Sequence, residues 1–271
     1  MARTASDTGT DLLRVAAQHA PNAAMMTGLA DPPTGPLPFI ATADGARLRD
    51  PAWMRDQVRA SAQRWRTDSP RVAATLWWYT ASTVLLAPPL LTDFLAGRAV
   101  HPGPEGLELR FAEAGRLVAA RTTTPCDGPL TGPLRELIAT CADGLAAAAG
   151  MRPRPLWSIA ADSLAGLLVR AGRETGGLEE STGHARSLAA EIGAPLPEPR
   201  WVDVRVPDGS DGLFPPPPPD APEVERFVRR GSCCLIYEAP GEAKCAACPR
   251  RTPDDRALQL ELAASRMAAL G

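Results

Sequence analysis

Between Arg229 and Arg250 the chain reads Arg-Arg-Gly-Ser-Cys-Cys-Leu-Ile-Tyr-Glu-Ala-Pro-Gly-Glu-Ala-Lys-Cys-Ala-Ala-Cys-Pro-Arg, and four of its six cysteines fall within sixteen residues of it. Cys233 and Cys234 are adjacent, ten residues follow, and Cys245-Ala-Ala-Cys248 completes the spacing C-C-x10-C-x2-C. A Cys-x-x-Cys pair on a tight turn points two sulfurs the same way among backbone N–H groups, which favours thiolate ligation of a metal. The adjacent pair adds a constraint. Successive side chains of extended backbone diverge, so two neighbouring thiolates suit a centre with two metal positions better than one small tetrahedral ion. Ala239-Pro240-Gly241-Glu242 has turn chemistry, and a reversal there would bring the four sulfurs together.

Three chemistries compete for such a cluster. Disulfides need an oxidising compartment, and the opening Met-Ala-Arg-Thr-Ala-Ser-Asp has no apolar signal-peptide core, so they are the least expected. A structural zinc uses the same thiolates, although usually as two separated knuckles. An iron–sulfur cluster fits the spacing best. Cys126, in a turn, and Cys141, on an expected helix, have no partner spacing and are read as bystander and core residue.

The run Arg-Arg-x-x-Cys-Cys-Leu-x-Tyr, the Pro-Gly turn and Cys-x-x-Cys-Pro resemble the C-terminal signature of the FhuF-like ferric-siderophore reductases, without insertion or deletion. The likeness covers about 22 residues; upstream it is faint, limited to a helix near Trp157 and another near Trp77 to Tyr79. The resemblance implies that Cys233, Cys234, Cys245 and Cys248 ligate a [2Fe-2S] cluster. It implies a cytoplasmic enzyme that reduces siderophore-bound Fe(III), hydroxamate chelates of the ferrioxamine type included, by one electron. The alternatives are a zinc-stabilised four-cysteine interaction module and a non-enzymatic iron–sulfur electron-transfer or sensor protein. Arg230, Lys244 and Arg250, with Arg229 and Arg251, are candidate contacts for an anionic chelate or an acidic donor. The cluster is expected near the surface, beside a groove between the cysteine module and the rest of the protein.

Other chemistry finds little support. His19, His101 and His184 are far apart, with no His-x-x-His or Glu-x-x-His pair. Neither a nucleophile elbow nor a nucleotide-phosphate loop is present, so electrons are expected from another protein, such as a ferredoxin or a flavoprotein reductase, or through a site that carries no recognised loop. A net charge of −2 gives no basis for nucleic-acid binding.

The elements that must position these residues read as predominantly helical α+β: a helical domain over 1–194 with a β-hairpin near 107–122, a proline-rich linker over 195–222, and a cysteine module with a final helix over 223–271. Residues 1–10 read as a frayed tail, 31–38 as an irregular connection and Phe39 to Thr42 as a short strand. Helices are expected over 11–20, 50–66 (with Trp53, Val58 and Trp65 inward), 133–149, 156–173, 179–192, 222–230 and 254–270. Val72 to Thr92 carries no charge and approaches the length of a membrane span, yet Pro88-Pro89 would break it near its end and five Thr or Ser residues suit burial in protein. It is read as a central core helix about which the others pack, and no membrane span is expected. With 29 prolines, five of them at 215–219, long irregular connections are expected, the last run as a stiff polyproline tether.

Overall fold

The computed structural model describes residues 8–25, 40–210 and 214–269. The expected irregular connection at 31–38, residues 1–7 of the expected tail and Phe39 lie outside them. The chain is predominantly helical α+β. In order the elements are α1 (Gly9–His19), α2 (Pro21–Ala24), β1 (Ala41–Asp44), α3 (Pro51–Trp65), α4 (Pro70–Ala96), β2 (Glu108–Ala112), β3 (Arg116–Arg121), α5 (Thr131–Ala149), α6 (Arg154–Thr175), α7 (Leu178–Ile192), β4 (Trp201–Arg205), β5 (Val224–Val228) and α8 (Pro253–Ala268).

Helix α4 is the axis of the body. Its side chains are apolar around the circumference, and α1, α3, α5, α6 and β3 all pack on it. Trp77 and Trp78 are fully enclosed, and the Trp78 indole N–H donates to the Leu156 carbonyl at 2.8 Å. The expected break at Pro88-Pro89 does not occur: the helix runs on to Ala96 and stops at Gly97, which takes the left-handed conformation. Each proline forfeits one backbone hydrogen bond, but packing on every side holds the turn. The Thr92 hydroxyl donates to the Pro88 carbonyl at 2.8 Å and accepts from the Val100 N–H at 3.0 Å, tying the helix end to the next segment. Among the described residues no helix is long and apolar enough to cross a membrane.

The N-cap reading of Asp50 holds, its carboxylate accepting from the Ala52 N–H at 2.8 Å. Of the residues expected inward on α3, Val58 is buried, together with Met54 and Ser61, while Trp53 and Trp65 are half-buried. The Ser61 hydroxyl reaches the Ala73 carbonyl of α4, which draws that face in. The 107–122 hairpin forms as β2 and β3 with a bulge at Arg110/Phe111, and β1 adds a third antiparallel strand through Ala41↔Phe111.

Helices α6 and α7 approach closely at Gly172. A Cβ there would lie 2.9 Å from the Ser181 Cβ and 3.0 Å from the Leu178 backbone, which cannot swing aside. Gly172→Ala is therefore expected to destabilise the fold by about 2 kcal/mol, the usual scale of overpacking; a denaturation midpoint equal to wild type would refute the close approach.

Two departures concern the region leading to the cysteines. Where a helix was expected over 222–230 the chain forms strand β5, and its partner β4 lies inside the proline-rich passage, in register Trp201↔Val228 through Arg205↔Val224. Trp-Val-Asp-Val-Arg and Val-Glu-Arg-Phe-Val can satisfy each other's backbone as a ribbon, whereas a short helix over 222–230 would leave β4 unpaired. Glu225 is buried on β5 and bonds Arg173 of α6 at 2.9 Å, so the ribbon is fastened to the body just ahead of the cysteines.

Candidate metal centre

The cysteine segment is seated on α4. Leu235 and Ala239 pack against Val72 and Leu76, with Trp65, Cys233 and Ile236 at the margin. Burying aliphatic side chains contributes roughly 2 kcal/mol each, and Arg71 adds an ion pair to Glu238 at 2.9 Å. Leu235 sits at φ 63°, a left-handed conformation that costs a non-glycine residue about 1 kcal/mol. This bend is what separates two adjacent cysteines. It turns the Leu235 N–H onto the Cys233 sulfur at 3.4 Å, while the Ile236 N–H serves Cys234.

The sulfurs gather as two pairs. Cys233 Sγ and Cys248 Sγ are 3.7 Å apart, and the Cys245 thiol bonds Cys234. With thiolate–metal bonds of about 2.3 Å, tetrahedral geometry separates two sulfurs on one ion by about 3.8 Å, so the first pair already spans a tetrahedral edge. Among the described residues no three donors surround a single point where one ion would sit. Each cysteine of the adjacent pair is matched with one of the Cys-x-x-Cys pair, which would offer two thiolates to each of two metal positions. All six cysteines are free thiols.

Arg230 supplies the positive charge. Its Nη1 lies 3.5 Å from Cys245 Sγ, its Nε is 3.5 Å from Asp162, and its guanidinium covers the Tyr79 ring at 4.6 Å. Only 7% of its side chain is exposed. Burial opposes the charge, but the Cys234 sulfur, Tyr79 and Cys245 outweigh it and hold the guanidinium above its ordinary pKa. In the Cys234/Cys245 pair the bond from Cys245, against the cost of burial, and then Arg230 lower the Cys234 pKa, so one thiolate is stabilised before any metal arrives. Cys245 moves up in turn, because its proton is held in that bond and it is buried. Burial raises Cys233. Arg230 Nη2 is buried with no partner among the described residues. A sulfur-rich group against Cys234 and Cys245 would accept from it, so the donor set fits a cluster whose sulfurs take hydrogen bonds.

Sequence reasoning missed the residues that hold this segment in place. Asp162 of α6 accepts from the Gly231 N–H at 2.9 Å and the Ser232 N–H at 3.5 Å, as well as facing Arg230. Burial raises its pKa, against the pull of the Gly231 amide and Arg230. Arg251 holds the second pair: its Nε donates to the Cys245 carbonyl at 2.9 Å, its Nη2 to the Lys244 carbonyl, and its Nη1 bonds Asp255 of α8 at 2.7 Å. A lone charge in the otherwise uncharged Ile159–Leu164 stretch of α6 was the one available signal for Asp162.

The three flanking cations part company. Arg230 turns inward to the sulfurs. Lys244 donates to the Arg250 carbonyl at 3.0 Å and lies over Tyr237, whose other cationic neighbour is Arg250. Arg250 is exposed and lines a groove of about 350 Å³ with Arg71, Thr75, Met151, Arg152, Ser232 and Cys233. Cys234 and Cys248 are buried, whereas Cys233 and Cys245 are half-exposed.

Residues 230–250 match the family model described as the FhuF 2Fe-2S C-terminal domain, and all four clustered cysteines lie within the match. No curated protein matches the chain. The resemblance read from the cysteine spacing is thus met by the family comparison: the chain carries an FhuF-like iron–sulfur domain, and its cofactor is a [2Fe-2S] cluster.

Proposed function

We propose that the protein is a cytoplasmic ferric-siderophore reductase, in which Cys233 with Cys248 and Cys234 with Cys245 hold the two irons of the cluster. The observation that carries the reading is the half-exposed Cys233, which opens onto the groove bounded by Arg71, Arg152 and Arg250. A ferric siderophore, hydroxamate chelates among them, is too bulky for a packed core and can approach the centre only at such a place. In this reading residues 1–194 form the helical body, 195–222 lead across to residues 223–271, and the groove lies where the cysteine module meets the body.

When bound, the cluster supplies one electron at a time, and the chelator's hard oxygen donors hold the Fe(II) product far more weakly than the Fe(III) substrate. The chain's own residues do the rest. Leu235 and Ala239 against Val72 and Leu76 keep water from the inner sulfurs, and the Leu235 and Ile236 amides with Arg230 favour the thiolate form. Arg152 and Arg250 draw anionic chelates to the groove.

Arg152→Glu with Arg250→Glu is expected to slow reoxidation of the chemically reduced protein by ferric citrate about tenfold at low ionic strength. The difference should shrink near 0.15 M salt, where the screening length is about 8 Å. Stopped-flow absorption reads both; equal rates at low salt would take this groove out of the reaction.

A further inference from the structure

A second groove, of about 490 Å³, shares the Gly231 and Pro249 backbone with the one at Cys233 but is otherwise built from different elements. Arg200 precedes β4, Arg229 follows β5 and Arg256 stands in the first turn of α8, and all three line it. None of the three makes an ion pair among the described residues, and no carboxylate is in the lining. Asp254 and Asp255 of the same turn of α8 lie outside it, and Asp255 is held by Arg251. The arrangement runs against local electrostatics. A cation near a helix N-terminus is disfavoured, and three uncompensated like charges repel, in a chain whose net charge is −2. Val202, Val228 and Leu260 supply apolar wall between the charges, the mixture that suits a protein interface in which arginine is enriched.

We propose that this groove docks an acidic protein that donates single electrons. The inference rests on the redox reading above and adds the donor's side of it. Arg230 lines the groove and also stands 3.5 Å from Cys245 Sγ, so a donor seated there reaches the sulfur shell while the groove at Cys233 stays open to the chelate. The donor is oxidised by one electron and the cysteine domain reduced by one; no bond is made or broken and no proton need move. A hydride carrier would deliver two electrons at once, and the chain has no nucleotide-phosphate loop to hold one.

The test uses the cluster-loaded protein and a reduced plant-type ferredoxin, with no ferric chelate present, and compares wild type with the Arg200→Glu, Arg229→Glu, Arg256→Glu variant. Labelled-ferredoxin anisotropy gives binding, and visible bleaching gives electron arrival. Both are expected to weaken more than about tenfold at low salt and to converge with wild type as salt rises. Reduction by the methyl viologen radical cation should be no slower, and reoxidation by ferric citrate should slow far less than reduction by ferredoxin. The corresponding triple glutamine variant should fall between the two, which separates charge from misfolding. Undiminished ferredoxin binding and bleaching would overturn the proposal, and so would an equal slowing of ferric citrate, which would make this the chelate's groove. Because the donor half is read without chelate, its failure leaves the ferric-reductase reading standing, and a protein that reduces no chelate can still pass this test.

Discussion

Cys245→Ser and Cys248→Ser are each expected to lower cluster content more than about tenfold, beyond the loss typical of supporting residues, whereas Cys126→Ser and Cys141→Ser should retain it. Each of the first two variants breaks one sulfur pair and leaves a metal position with a single thiolate; a serine oxygen is too hard a donor to replace it. The control cysteines lie elsewhere. Cys141 is fully buried in α5, where burial pushes its thiol up to about 12, far from a metal-binding thiolate. Cys126 is half-exposed and is raised by burial and the neighbouring Asp127. Iron and sulfide analysis with visible absorption reads the result; iron retained alike by all four variants would overturn the ligand assignment.

The second large effect is expected at Asp162, which no part of the cysteine motif contains. Asp162→Ala leaves the Gly231 and Ser232 amides and Arg230 without their acceptor, and loss of a largely enclosed partner of this kind costs about 3 kcal/mol. Asp162→Asn should cost less, about 1–2 kcal/mol, because an amide oxygen can still accept from Gly231 while its NH2 replaces the acceptor that faced Ser232 and Arg230. Urea unfolding of the two loaded variants measures the contrast. The alanine variant should also shed its cluster faster to a chelator, since the loop before Cys233 is released from α6. Equal stability of the alanine variant and wild type would show that Asp162 does not hold the module.

The contrast between the motif and Asp162 explains what could be read in advance. Cys233 to Cys248 is a local pattern, and the Pro240-Gly241 turn announces its own reversal, so the convergence of the four sulfurs was legible. Helix α4 was legible because a stretch without charge has few other places to go. Its passage through Pro88-Pro89 was not, since the burial that offsets two missing hydrogen bonds depends on tertiary packing that the local sequence does not show. Strand β5 was misread because its partner hides in proline-rich sequence, although Trp201-Val-Asp-Val-Arg205 does alternate. Arg230 was legible as a cation but not as a buried one: its direction is set by Asp162 and Tyr79, both contributed by the helical body. Long-range polar contacts of this kind leave little trace in local periodicity, and they decide which arginine serves the sulfurs and which faces solvent.

In the proposed reaction this cysteine centre passes electrons to chelated Fe(III). The direct measurement is anaerobic mixing of the chemically reduced protein with a ferric hydroxamate siderophore and a ferrous trap, following the visible band and the trapped iron together. The oxidised spectrum should return with release of one Fe(II) for each cluster oxidised. A cluster that stays reduced in the presence of every ferric chelate offered, with no ferrous iron trapped, would contradict it.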